Sequence, residues 1–135
     1  MRILIDTNIL ISCIVWPDSK PARAFIKAAY DCGNKAIISE HSIEELHRVF
    51  SRKFPGYVQD MADFLAKHIN VLEIVPFLTE QYEEEQLIRD VNDRPILRAA
   101  IHAKADILIT GDKDFLSSGI TSPKIMSASE FLDIT

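Results

Sequence analysis

The 135-residue chain is 47% hydrophobic and 26% charged, with four Gly and six Pro. That balance excludes a disordered, collagen-like or low-complexity polypeptide and fits one domain over residues 1–135 whose core needs no staples. The formal net charge of −5 speaks against a basic nucleic-acid coat protein, although acids gathered around a metal would distort that count.

Residues 2–5 form a short apolar, β-branched run of buried-strand length. Ser19 caps a following helix with Pro21 in its first turn, and Ala22, Phe25, Ile26, Ala29 and Tyr30 recur at helical spacing until Gly33-Asn34 stops it. Residues 36–38 are a second strand. Ser39 or Ser42 caps the next helix, with Ile43, Leu46, Val49 and Phe50 on its apolar side, and Pro55-Gly56 breaks it. Residues 57–69 read as a helix with Val58, Met61, Phe64, Leu65 and His68 on one side. A third strand at 71–75 ends at Pro76, and residues 80–89 are expected to form a short acidic helix. Asp93 opens a helix carrying Ile96, Leu97, Ala100 and Ile101. Strands at 107–109 and 124–126 follow, and Ser127 or Ser129 caps a last short turn. The alternation predicts an α/β fold with a mostly parallel sheet and helices on both faces.

Cys13 and Cys32 read as free thiols of a reducing compartment. No leader-like segment opens the chain, and no apolar run approaches the roughly 20 residues of a membrane helix. A cytoplasmic protein without membrane contact is expected.

In an open α/β sheet, ligands bind beyond the carboxyl ends of the strands. There the sequence sets Asp6-Thr7-Asn8 after the first strand, Glu44 and Glu45 after the second, and Thr110-Gly111-Asp112-Lys113-Asp114 after the fourth. Asp93 starts the helix that feeds the fourth strand and falls at the same edge. Each acid alone has a structural role open to it. Asp6 would satisfy turn donors, Glu45 stands at capping-box spacing from Ser42, Asp93 suits a helix cap and Asp112 an ordinary turn. Together they would repel one another unless a cation sat among them. An oxygen-only set without His or Cys suits Mg²⁺ or Mn²⁺ rather than Zn²⁺, and the four histidines show no zinc spacing. Magnesium held by carboxylates is a tool for phosphoryl chemistry. No phosphate loop or nucleophile elbow is present. The Glu80, Glu83, Glu84 and Glu85 run reads as a solvated helix face, and Trp16 as a partly buried loop aromatic rather than a base-stacking platform.

On residues 3–10, 39–49, 93–100 and 109–115, and on the closing strand and turn at 125–132, the chain resembles the PIN-domain family, and within it the VapC-like ribonucleases that are the toxins of toxin–antitoxin pairs. The resemblance implies a three-layer α/β/α sandwich and an endoribonuclease that hydrolyses RNA with Mg²⁺ or Mn²⁺. It implies Asp6, Glu45, Asp93 and Asp112 as catalytic acids, with Asp6, Asp93 and Asp112 on metal, and Glu44 and Asp114 as secondary acids. Thr7, Asn8 and Thr110 match polar pocket positions. Pro95 departs from the family pattern but is sterically allowed in a first helical turn. Arg48, Arg52, Lys53, Arg94, Arg98 and Lys113 are candidate RNA contacts, with solvated helix charge as the alternative. A small antitoxin protein and a second copy of the chain are the implied partners. Phe25, Ile26, Tyr57, Met61 and Phe64 are read as apolar surplus for a homodimer. Two rivals stay open: a non-catalytic RNA- or protein-binding domain on the same fold, and a receiver-like signalling domain, which would want paired acids after the first strand and a phosphoacceptor after the third.

Overall fold

The computed structural model describes residues 1–134, and in it the apolar runs become five strands: β1 (Arg2–Ile5), β2 (Lys35–Ser39), β3 (Leu72–Val75), β4 (Ile107–Ile109) and β5 (Lys124–Met126). They lie in the order β3-β2-β1-β4-β5, and every neighbouring pair is parallel. The expectation of a mostly parallel sheet is therefore met in full. All carboxyl ends share one edge, and the order reverses between β1 and β4, where an open sheet leaves a crevice.

Among the described residues seven helices complete the layers: α1 (Thr7–Val15), α2 (Lys20–Tyr30), α3 (Glu40–Lys53), α4 (Val58–His68), α5 (Arg94–His102), α6 (Lys113–Leu116) and α7 (Ala128–Leu132). The strand residues alternate between two cores, as a period of two requires. Ile3, Ile5, Ala36, Ile38, Ile107 and Ile109 pack with the helices α1 to α4 and α7. Leu4, Ile37, Val75 and Leu108 pack with α5 and with Phe115 of α6. Ser19, Ser39 and Ser127 cap α2, α3 and α7 through their hydroxyls.

Sequence periodicity missed α1. Its side chains Ile9, Leu10, Ile11, Cys13, Ile14 and Val15 are apolar, and its outer side carries only Asn8 and Ser12 as polar residues between half-buried Ile11 and Val15. So narrow a polar stripe gives a weak 3.6-residue signal. No helix among the described residues is long and apolar enough to cross a membrane.

Three expectations are corrected by packing. Residues 80–89 do not form a helix; only a 3-10 turn at Glu83–Leu87 appears. Its Glu85 is not solvated but buried, and it accepts two hydrogen bonds from Arg98, from Nη2 at 2.8 Å and from Nε at 3.1 Å. The Tyr82 amide donates to Glu85 Oε2 at 2.8 Å, and Arg98 Nη1 donates to the Leu78 carbonyl at 3.0 Å. Second, Phe25 and Met61 belong to the core rather than to a surplus surface. Phe25 meets Phe64 at 5.1 Å between ring centroids and packs on the buried His68, whose Nδ1 lies 2.6 Å from the Tyr30 hydroxyl. Of the five residues read as a dimer patch, only Ile26 and Tyr57 are exposed. Third, Trp16 is exposed and meets Phe54 edge-on.

The Glu85–Arg98 pair ties the segment before α5 to the helix itself. Burial pushes the Glu85 carboxyl up, but the Arg98 and Tyr82 hydrogen bonds outweigh it and hold the group below the usual carboxylate range. Removing one partner leaves a buried charge alone. Glu85→Ala is expected to cost about 3–5 kcal/mol in urea unfolding, whereas a Glu85→Leu/Arg98→Met double variant loses less than either single change.

Candidate metal centre

The register of the sheet builds the site. Ile5 pairs with Ile109, so one step further Asp6 stands beside Thr110, and the Asp6 amide donates to the Ile109 carbonyl at 3.0 Å. Alternation places Asp6 and Thr110 on the face of Leu4 and Leu108, the face that α5 covers. The Thr110 hydroxyl donates to Asp6 Oδ2 at 2.6 Å and accepts the Asp112 amide at 3.0 Å. The other Asp6 oxygen accepts the Thr7 amide at 2.7 Å and so caps α1. One buried carboxylate thus starts a helix and stands at the mouth of the crevice.

Asp112 caps α6, its Oδ1 accepting the Asp114 amide at 2.9 Å. Asp93 occupies the position before α5, yet its side chain makes no capping bond. The cap role open to it in the sequence is not taken. Its carboxylate instead gathers with those of Asp112 and Asp114, one oxygen from each lying within 4.8 Å of the others. Asp114, read from the sequence as secondary, is thus one of the three closest acids. Asp6 stands beside this triad: its charge reaches Asp93, and the charges of Asp112 and Glu45 reach it.

Glu45 is half-buried on α3, one turn after the buried Ser42 and directly before the buried Leu46, whereas the Glu44 side chain is 62% exposed. Thr7 meets Asp6 through its backbone amide. It is buried and donates to Ser42 Oγ at 2.8 Å, joining α1 to the start of α3. Asn8 is exposed.

The basic residues divide. Arg94 Nε donates to the Ile88 carbonyl at 3.0 Å, and Arg98 is turned inward to Glu85 and Leu78. Both therefore brace the α5 start. Arg48 lies 3.9 Å from Glu44 and 3.8 Å from Glu45. Arg52, Lys53 and Lys113 are exposed. Two residues here had no sequence signal. Arg89 Nη2 donates to Asp114 Oδ1 at 3.1 Å, and the charge of Asp90 adds to the crowding of Asp93.

This crowding has a titration consequence. Burial raises the Asp6 carboxyl to about 6, against the hydrogen bonds from Thr110 and Thr7 and with the charges of Glu45 and Asp112. Asp93 is raised to about 7, by burial first and then by the charge and shared hydrogen bonding of Asp112 and the charges of Asp90 and Asp6. A hard divalent cation would relieve this crowding. Ligands about 2.1 Å from Mg²⁺ stand about 3–4 Å apart, so three oxygens within 4.8 Å need little closing movement. An all-carboxylate set matches Mg²⁺ or Mn²⁺.

Two outcomes follow from this geometry. The raised carboxyls bind protons more tightly in the folded chain than in the unfolded one, so the stability they lend is lost as pH rises through about 6 and 7. In EDTA the Tm is expected to fall between about pH 5 and 7 and then level off, with a shallower fall for Asp93→Asn, and Mn²⁺ should restore more Tm above about pH 7 than near pH 5. Thr110→Val removes the group that holds both Asp6 and the Asp112 amide, and is expected to weaken Mn²⁺ binding by calorimetry about 10- to 100-fold.

The chain was compared with known proteins in sequence and in fold. No curated protein matches the sequence. Among solved structures, a chain of VapBC2 from Rickettsia felis bound to a DNA fragment from their promoter is similar in fold, with a TM-score of 0.66 over 94% of this chain and 97% of that one, at 22% identity. The sequence pattern of the PIN domain matches residues 2–114, from the first residue of β1 to the last acid of the triad. With that pattern spanning the whole acidic edge, the chain belongs to the PIN domain family.

Proposed function

We propose that this chain is a metal-dependent endoribonuclease and the toxin of a toxin–antitoxin pair. The observation that carries the reading is the convergence of Asp93, Asp112 and Asp114 beside a buried Asp6, at the crevice between β1 and β4. Asp93, Asp112 and Asp114, with Asp6 behind them, would hold Mg²⁺ or Mn²⁺. When bound, that ion supplies charge stabilisation to a phosphate and a lowered pKa to an attacking water.

The chain's own residues do the rest. Thr110 fixes Asp6 on one side and the Asp112 backbone on the other. Glu45, half-buried on α3 and close enough to raise the Asp6 carboxyl, accepts the proton of an in-line water at its carboxylate. Arg48, beside Glu45, and the exposed Arg52 and Lys113 attract the RNA backbone without reading its bases. The VapBC2 likeness supports a small antitoxin protein as the partner, with a homodimer and a cytoplasmic site of action as further parts of the toxin reading.

Incubation of the pure protein with structured and single-stranded RNAs tests this. Cleavage is expected with Mg²⁺ or Mn²⁺ and not with EDTA. Asp6→Asn and Glu45→Gln should each lower it by about 100-fold or more, with the fold kept, and Glu44→Gln should change it little. Wild-type protein that binds Mn²⁺ yet leaves every RNA intact would favour a binding domain on the same fold.

A further inference from the structure

We propose that Arg89 is a substrate-phosphate ligand of this centre, held on Asp114 until an RNA phosphate takes the place of that carboxylate; this rests on the ribonuclease reading above. The placement comes first. Arg89 Nη2 lies 3.1 Å from Asp114 Oδ1, and an Asp114 oxygen lies within 4.8 Å of those of Asp93 and Asp112. A guanidinium one hydrogen bond from the triad is within a side-chain rotation of any phosphate bound there.

The arginines of α5 are engaged elsewhere: Arg94 Nε serves the Ile88 carbonyl, and Arg98 serves Glu85 and Leu78. Arg48 stands by Glu44 and Glu45 on α3. Among the described residues, Asp114 is the only side-chain partner that Arg89 has. Its side chain is 86% exposed, against 29% for Asp114, so the contact is a screened surface pair that breaks easily.

The backbone that carries it is nevertheless fixed on both sides. The Ile88 amide donates to the Glu85 carbonyl at 3.1 Å, and the Asp93 amide donates to the Asp90 carbonyl at 3.1 Å. Arg94 holds the Ile88 carbonyl between them. Arg89 is thus an exposed head on a braced stem. Positive charge delivered to the triad weakens the pull of Asp114 on the guanidinium. A phosphate arriving at the same place offers a stronger, bidentate partner for its fork of N–H donors.

The test compares Arg89→Met and Arg89→Lys with the wild type, using a fluorescein-labelled single-stranded RNA that the wild type cleaves. Arg89→Met is expected to lower kcat/KM about 10- to 100-fold and Arg89→Lys less, since a lysine restores the charge but not the fork. The slope of log kcat/KM against log salt should flatten by about 0.7 in Arg89→Met, the share of one single-strand phosphate contact. Mn²⁺ affinity of the RNA-free variant, read by electron paramagnetic resonance, should be equal to or tighter than wild type, because a competing cation has left the acids. Unchanged kcat/KM and salt slope would make the contact a surface ion pair and overturn the proposal. Weakened Mn²⁺ binding would overturn it also, by making Arg89 a brace for Asp114. A wild type that cleaves no RNA with either metal removes the ribonuclease reading itself, and this proposal with it; that failure is seen before any variant is made.

Discussion

A single hydroxyl stands between the carboxylates of this site. Thr110 donates to Asp6 and accepts from the Asp112 amide, so it fixes the ends of β1 and β4 relative to each other where the sheet order reverses. That bridge relates the side chain of a buried acid to the acids that follow the next strand. The bridge exists because the β1–β4 register sets Asp6 opposite Thr110 and because both fall on the same face of the sheet. Two apolar strands, paired one residue out of step, would turn one of these side chains into the opposite core.

The rest of the centre is arranged around that constraint by giving each acid a different set of donors. Asp6 is held by a hydroxyl and a backbone amide, and Asp112 receives the amide at the start of α6. Asp114 has an exposed arginine, and Asp93 has no capping bond at all. The charge least compensated by the protein is thus on Asp93, which is also the most strongly raised. Its placement depends on a part of the molecule with no chemistry of its own. The buried Glu85–Arg98 pair and the Arg94 contact to Ile88 lock the segment before α5. A buried ion pair contributes little net stability relative to apolar packing, but it fixes geometry. Here it fixes the direction from which Asp93 enters.

Much of this was legible in the sequence, and what was not has identifiable causes. The strand runs, the serine caps and the breaks at Gly33-Asn34 and Pro55-Gly56 depend on neighbours within a few residues, and they stand where local pattern puts them. Helix α1 is hidden because its half-exposed side is itself mostly apolar, which blurs the periodicity. Glu85 was read as solvated because its charge run looks like a helix surface; its burial depends on Arg98, 13 residues away. The same partner took Arg98 out of the basic surface. Phe25 and Met61 were read as surplus because the packing of α2 against α4 cannot be counted from either helix alone.

By itself the sequence determined that a parallel sheet would form and that Asp6, Glu45, Asp93, Asp112 and Asp114 would follow strand ends or helix starts on one edge. These are consequences of chain direction and local turn chemistry, which need no knowledge of distance. Tertiary structure alone decided which acids meet. It brought Asp114 into the triad, left Asp93 without a cap, turned Glu45 rather than Glu44 inward, and set Arg89 on Asp114. The physical reason is range. Propensities and caps act over about one helical turn, whereas a carboxylate's neighbours in a crevice come from segments separated by up to about a hundred residues, and their spacing is fixed only when strand register and buried pairs close together.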